Sequence, residues 1–253
     1  MPRTNFITAL HFGKTFFTAL ALLISFYYYF KSAAFKLAPS IAQKIKLIEK
    51  YPFSQVVGVV ELTLVAFSHV VFCFILLYFF KINIQSIFLK TNLSDCFYGA
   101  LIGIGSVGIS VLFCTFAIKA VETFGKQNSP RTLNEWSAIS NAGWIRHHKH
   151  TIKIIPIFLA LFIILLQIGS EETIFRSVLF KVFSPFGIKT VFCVSTFLFI
   201  FMQTFFMPSK LSAMFPVIGA STMGIVHGLL YIYHPTVTPL IVSHLTFFIF
   251  TVI

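Results

Sequence analysis

The chain has 253 residues, is 57% hydrophobic and only 10% charged, with a mean hydropathy of +0.91. A soluble domain carries about 25% charged residues, so a water-soluble fold is excluded and a multi-pass integral membrane protein of the cell membrane is expected, with membrane lipid as its first partner. The net charge of +12 lies in polar gaps between apolar segments, where headgroups and topology use it; no nucleic-acid-reading motif accompanies it, so no nucleic-acid partner is expected.

A spanning helix needs about 20 apolar residues. Candidate stretches are 15–35, 54–80, 97–121, 152–181, 188–207, 212–233 and 238–253. They predict an all-α, polytopic transmembrane helical bundle of seven spans, or eight if 152–181 divides near Gly169. The bundle forms a single domain over 1–253.

The first stretch is predicted as a retained helix and not a cleaved signal. An apolar turn (Thr15 to Thr18) precedes its core, and no soluble domain follows it. Between Lys36 and Lys50, apolar Leu37, Ile41, Ile45 and Ile48 recur at helical spacing, so this segment is expected along the membrane interface. In the second span Glu61 and His69 are eight residues apart on one face. They suit a proton path, as in a transporter, or Glu61 finds a polar neighbour in the bundle.

The one long polar connection is 123–150. Its His147, His148 and His150, beside Arg146 and Lys149, lack structural zinc spacing and read as a solvated or headgroup-facing basic patch. Lys31, Lys36, Lys44, Lys46 and Lys50 follow the first span, and Lys126, Arg131, Arg146, Lys149 and Lys153 follow the third. With an external N-terminus both groups are cytoplasmic, as the positive-inside rule favours over a side holding Arg3, Lys14, Lys81 and Lys90. The four cysteines form no C-x-x-C pair and read as packing residues. Gly99 with Gly103, and Gly224 with Gly228, place small residues one turn apart, where helix backbones approach closely.

Ser170-Glu-Glu-Thr-Ile-Phe-Arg176 holds two of the seven acidic residues, directly after a run whose only charge is Lys153. Ionisable groups at membrane depth are costly and are kept mainly where they act. On a helix Glu172 and Arg176 share a face, with Glu N-terminal as such pairs prefer. Glu171 points about 100° away and lacks that partner, which suits a general base. The competing reading is a pair of interfacial glutamates at a helix start. His244, in the last span, can donate to an oxyanion, act as a base or bind metal, or simply pack between helices. The same choice applies to His227.

Glu171-Glu172-x-x-x-Arg176 resembles the first motif of the CPBP family, the CAAX-protease and bacteriocin-processing (Abi) membrane proteins that include the type II CAAX prenyl endopeptidases. Phe199-Ile-Phe-Met-Gln203 falls at the family's second motif, F-x-x-x-H. His244-Leu-Thr-Phe-Phe248 falls at its third, H-x-x-x-N or H-x-x-x-apolar. Gly224-Ile-Val-His-Gly228-Leu-Leu-Tyr231 also looks like the family's G-x-x-x-G-x-x-Y connection. The likeness covers about 152–250.

In the family's peptidases the first glutamate and the second-motif histidine are thought to activate water, while the third-motif histidine and asparagine stabilise the oxyanion. The resemblance therefore implies Glu171 as general base, Glu172 with Arg176 as its organiser, and His244 as oxyanion donor. Two positions depart from the pattern. Gln203 can orient a water but cannot accept its proton, and Phe248 cannot donate a hydrogen bond. His227 is a substitute for the missing imidazole, although Met223-Gly-Ile-Val-His227 lies 56 residues from Glu171, a poor fit to the family spacing.

The resemblance implies an intramembrane endopeptidase acting on a peptide or membrane-protein substrate. The alternative is a catalytically degenerate relative, a scaffold, regulator or immunity factor that binds a membrane protein partner; a transporter is the third reading. No cofactor is expected. A metal at Glu171, His227 and His244 is chemically acceptable but not favoured, because Gln203 removes a ligand.

Overall fold

The structure is a computed structural model and describes residues 2–88, 91–124, 143–205, 207 and 210–252. The described residues are helical, with no strand. In chain order they are α1 (Pro2–Ser25), a π turn (Phe26–Lys31), α2 (Ser32–Ala42), α3 (Phe53–Phe79), α4 (Ile84–Phe88), α5 (Leu93–Phe124) and α6 (Gly143–Ile154). Then come α7 (Ile157–Glu172), a second π turn (Thr173–Val178), α8 (Leu179–Phe183), α9 (Ile188–Gln203), α10 (Lys210–Tyr233) and α11 (Thr238–Val252). The all-α bundle expected from the apolar pattern is the architecture found.

The boundaries have local causes. Pro52 and Pro156 stand extended immediately before α3 and α7, because proline lacks the N–H that a helix interior requires and its ring pre-sets the first turn. Gly187 precedes α9 with φ of 88°, a conformation that side chains with a Cβ avoid.

Among the described residues, five helical stretches are long and apolar enough to cross a membrane: Thr8–Ala42, Phe53–Phe79, Leu93–Ala120, Ile157–Phe186 and Ala213–Tyr233. The segments expected at 188–207 and 238–253 form α9 and α11, with 16 and 15 residues. At 1.5 Å per residue they reach about 24 and 22 Å, short of a hydrocarbon core of about 30 Å. The 152–181 stretch does not divide at Gly169. It breaks at Ile155–Pro156, and α7, the π turn and α8 then continue past it.

Contacts at opposite ends follow the alternation of the helices. Asp95 Oδ2 meets His234 Nε2 at 3.1 Å, Thr91 Oγ1 donates to Thr238 Oγ1 at 3.0 Å, and Lys181 Nζ donates to the Lys81 carbonyl at 3.2 Å. The first half of α3 instead meets α6. Arg146 Nη2 donates to Glu61 Oε2 at 2.7 Å, with His147 Nδ1 3.6 Å from the same oxygen.

Three sequence expectations change. His147 and His148 are buried, at 2% and 0% exposure, so they form no solvated patch; α6 packs its histidine face onto the bundle. Burial pushes the His147 imidazole well below its ordinary pKa, and the nearby Lys31 and Arg146 charges act in the same sense. Of the two readings of Glu61, the polar neighbour in the bundle is the one found, Arg146 of α6. Lys31 is no loop residue: helix continues from Thr8 to Ala42. The expected interfacial helix ends at Ala42, turning Ala34, Ala38 and Ala42 inward and Leu37 and Ile41 outward. Much of the 123–150 connection, with Lys126 and Arg131, lies outside the described residues, as does Lys90.

Candidate active site

Small residues set the spacing of the core helices. A Cβ on Gly99 would stand 2.4 Å from the Pro239 carbonyl oxygen, and one on Gly103 would stand 2.4 Å from that of Ser243. Real Cβ atoms do not approach so closely, so glycine is what admits the α11 backbone against α5. The other glycine pair seats α10 on α9: Gly224 faces Thr196, Gly228 faces Phe192, and Thr196 Oγ1 donates to the Gly224 carbonyl at 3.1 Å. These contacts bring His227 on α10 and His244 on α11 to the end of α7.

Glu172 is the hub. Its Oε1 lies 2.7 Å from His244 Nδ1 and 3.1 Å from His227 Nδ1, and its Oε2 lies 3.6 Å from Arg176 Nε. Both rings donate Nδ1–H to the carboxylate, and Arg176 balances its charge. The guanidinium is fully buried. Its Nη1 donates to Ser195 Oγ at 3.2 Å, that hydroxyl donates to the Phe175 carbonyl at 2.6 Å, and the guanidinium lies 4.8 Å over the Phe199 ring. The π turn begins at the residue after Glu172; such turns recur at functional sites.

Glu171 has a different neighbourhood. Gln167, one turn back, donates to its Oε1 at 3.2 Å, and His69 Nε2 from α3 lies 3.4 Å from the same oxygen. Glu171, Gln203 and His244 line one cavity together with Lys31, Gln167 and Phe248. Its volume of about 20 Å³ is room for about one water. Since His244 spends its Nδ1–H on Glu172, its other nitrogen, when the ring is neutral, is a bare acceptor. A neutral His244 therefore suits accepting or relaying a proton better than donating to an oxyanion. Phe248 stacks on His244 at 5.2 Å and lies tilted against His148 at 4.5 Å, and brings no donor.

The expected residues thus split into two layers. Glu171, Gln203 and His244 share the cavity; Glu172 and Arg176 lie behind it and hold His244. His227 joins the hidden layer, where its Nε2 meets Ser243 Oγ at 2.9 Å. Ser243, His227 and Glu172 form a hydroxyl–imidazole–carboxylate row, but Ser243 and His227 have no exposure, and neither lines the cavity. That row orients Glu172 and offers no nucleophile. Sequence reading singled out His69 only for a proton path, as in a transporter, and missed Lys31, Gln167, Ser195 and Ser243. Of those four, only Gln167, a lone amide one turn before Glu171 in an apolar run, carried a signal in the spacing.

Glu172, His227 and His244 place one candidate ligand atom each within 4.8 Å of one another. Ligands arranged tetrahedrally around zinc at about 2.1 Å stand about 3.4 Å apart, whereas His244 and His227 approach Glu172 Oε1 to 2.7 and 3.1 Å. With the carboxylate ionised, both Nδ1 atoms serve it as donors. As placed, the triplet reads as a hydrogen-bonded cluster, and its three groups are also of the kind that hold an ion. Glu171 lies in the other layer and does not join His227.

Residues 153–250 match the family model described as Type II CAAX prenyl endopeptidase Rce1-like. No curated protein and no solved structure matches the chain. The matched segment runs from α6 to α11 and contains every residue of the expected site, while α3 and its His69 lie outside it. By that match, residues 153–250, less than half of the chain, are similar to the type II CAAX prenyl endopeptidases of the CPBP membrane proteases.

Proposed function

We propose that the chain is an intramembrane endopeptidase in which Glu171 is the general base. Water held between Glu171, Gln203 and His244 attacks the carbonyl of a peptide or membrane-protein segment. Glu171 accepts a proton from that water, and the proton passes to the leaving amine as the C–N bond breaks. Gln203 orients the water without taking its proton. Glu172, neutralised by Arg176, fixes the His244 ring from behind, as a buried carboxylate orients an imidazole in hydrolases. No metal is assigned a role.

The observation that carries this reading is the shared cavity: three family-motif positions, Glu171, Gln203 and His244, line one water-sized space. The test is cleavage of candidate peptides by the purified protein, comparing wild type with Glu171→Ala and His244→Ala. Loss of a general base or its partner costs about 10²–10⁴-fold. Equal turnover by all three proteins removes the assignment.

Phe248 favours a second reading. It fills the place of a hydrogen-bond donor with a ring clamped between His148 and His244, as a non-catalytic scaffold or regulator tolerates. That reading expects Glu171→Gln to leave the cellular phenotype intact while Gly99→Ala or Gly103→Ala abolishes it.

A further inference from the structure

His69 is set in place by a proton that has one location. Its Nδ1 lies 2.8 Å from the Val65 carbonyl oxygen; a carbonyl only accepts, so Nδ1 carries hydrogen. The other nitrogen, Nε2, faces Glu171 Oε1 at 3.4 Å. A bare ring nitrogen and a carboxylate oxygen would confront each other with lone pairs, so a proton belongs between them. The remaining groups around His69 are few. The Tyr27 hydroxyl lies 3.4 Å from Nε2. The Phe26 and Tyr27 rings stand edge-on at 5.0 and 5.5 Å, and Lys31 lines the cavity beside Glu171. His69 itself is 1% exposed, which closes it off from bulk water.

Gln203, at the second-motif position where the family has an imidazole, lines the same cavity as Glu171. Given the glutamate-base mechanism, we propose that His69 is the positioning partner of Glu171: an imidazole supplied by α3, outside the matched segment, in place of the one residue 203 lacks. The shared proton rests on Nε2, aims Glu171 and balances its charge. The carboxylate then takes a proton from water while the water oxygen bonds to the carbonyl carbon. The same proton goes to the amine nitrogen as the C–N bond breaks, and His69 ends as it began.

The experiment uses the full-length protein in proteoliposomes with the peptide panel of the cleavage assay. His69→Gln keeps a hydrogen-bonding group near Nε2 but cannot hold the proton. It is expected to lower kcat by about 10²-fold with KM within about twofold, and adding Gln203→His is expected to restore at least about tenfold of that loss. A merely structural His69 would not be rescued by an imidazole at residue 203. Wild-type kcat in His69→Gln, or a loss that Gln203→His does not relieve, overturns the proposal. Should Glu171→Ala match wild type, the glutamate-base mechanism falls and this proposal with it. If Glu171→Ala is inactive while His69→Gln is not, only the His69 role falls. A second readout needs no turnover and no altered His69. With ¹⁵N-labelled histidine, the His69 Nε2 resonance is expected to move toward the unprotonated position in Glu171→Gln; an unchanged resonance also overturns the proposal.

Discussion

At the scale of single residues, the adjacent glutamates do opposite work, because their partners differ. Glu172 is anchored by two imidazole N–H groups and a buried guanidinium. Glu171 faces a water-sized space with an amide and an imidazole at its side. Removing one member of a buried charge pair strands the other and costs about 3–5 kcal/mol. Glu172→Gln is therefore expected to lower unfolding stability in detergent by about that much and to abolish cleavage as well. Glu171→Gln is expected to cost only about 1 kcal/mol, within the range of an ordinary substitution, while abolishing cleavage. Thermal or denaturant unfolding of the two variants side by side checks the division. Spacing alone paired Glu172 with Arg176 correctly. It could not give Glu172 two histidines from α10 and α11, because nothing local in the chain sets those distances.

At the scale of elements, glycine on α5 decides where α11 sits. The atoms that a Cβ would meet at Gly99 and Gly103 are backbone oxygens, which cannot swing aside. Gly103→Ala is expected to force α11 outward at Ser243, next to His244, with a packing cost of about 1–3 kcal/mol and reduced cleavage. Gly108, on the same helix, meets nothing within 4 Å. Gly108→Ala is expected to be neutral or to add up to about 1 kcal/mol through helix propensity. Melting temperatures of the two variants distinguish a close helix crossing from a general intolerance of α5 to alanine. The glycine pair was legible as a motif; its partner helix was not. The α6 histidines show the reverse failure. Their local sequence is basic and reads as exposed, yet Glu61, buried in α3, receives Arg146 and draws the helix onto the bundle.

At the scale of the molecule, alternating ends tie the site to an orientation. The segment 36–50 and the α6 end lie on one side, while Asn83 to Ser86 and the α10–α11 turn lie on the other. An external N-terminus then puts residue 44 inside and residue 85 outside. In a background with Cys96 and Cys193 replaced by serine, Gln85→Cys is expected to react with a membrane-impermeant thiol reagent on intact cells. Lys44→Cys is expected to react only after the cells are opened. The opposite pattern inverts the topology and moves the expected side of substrate entry. Lys31 no longer counts toward that orientation. It sits inside the helix and lines the cavity, where it contributes charge beside Glu171.

Composition and apolar run length were sufficient for the class: every long uncharged stretch must satisfy its backbone internally in lipid, and a helix does so without reference to the rest of the chain. The motif residues Glu171, Glu172, Arg176, Gln203 and His244 were likewise readable, since their spacing lies along the chain. Which groups touch was settled only by packing. His69 lies about a hundred residues from Glu171, and His227 took its place behind Glu172 and not beside the cavity. Those contacts depend on how closely α3, α10 and α11 approach α7, a distance fixed by small residues on neighbouring helices and invisible to any local pattern.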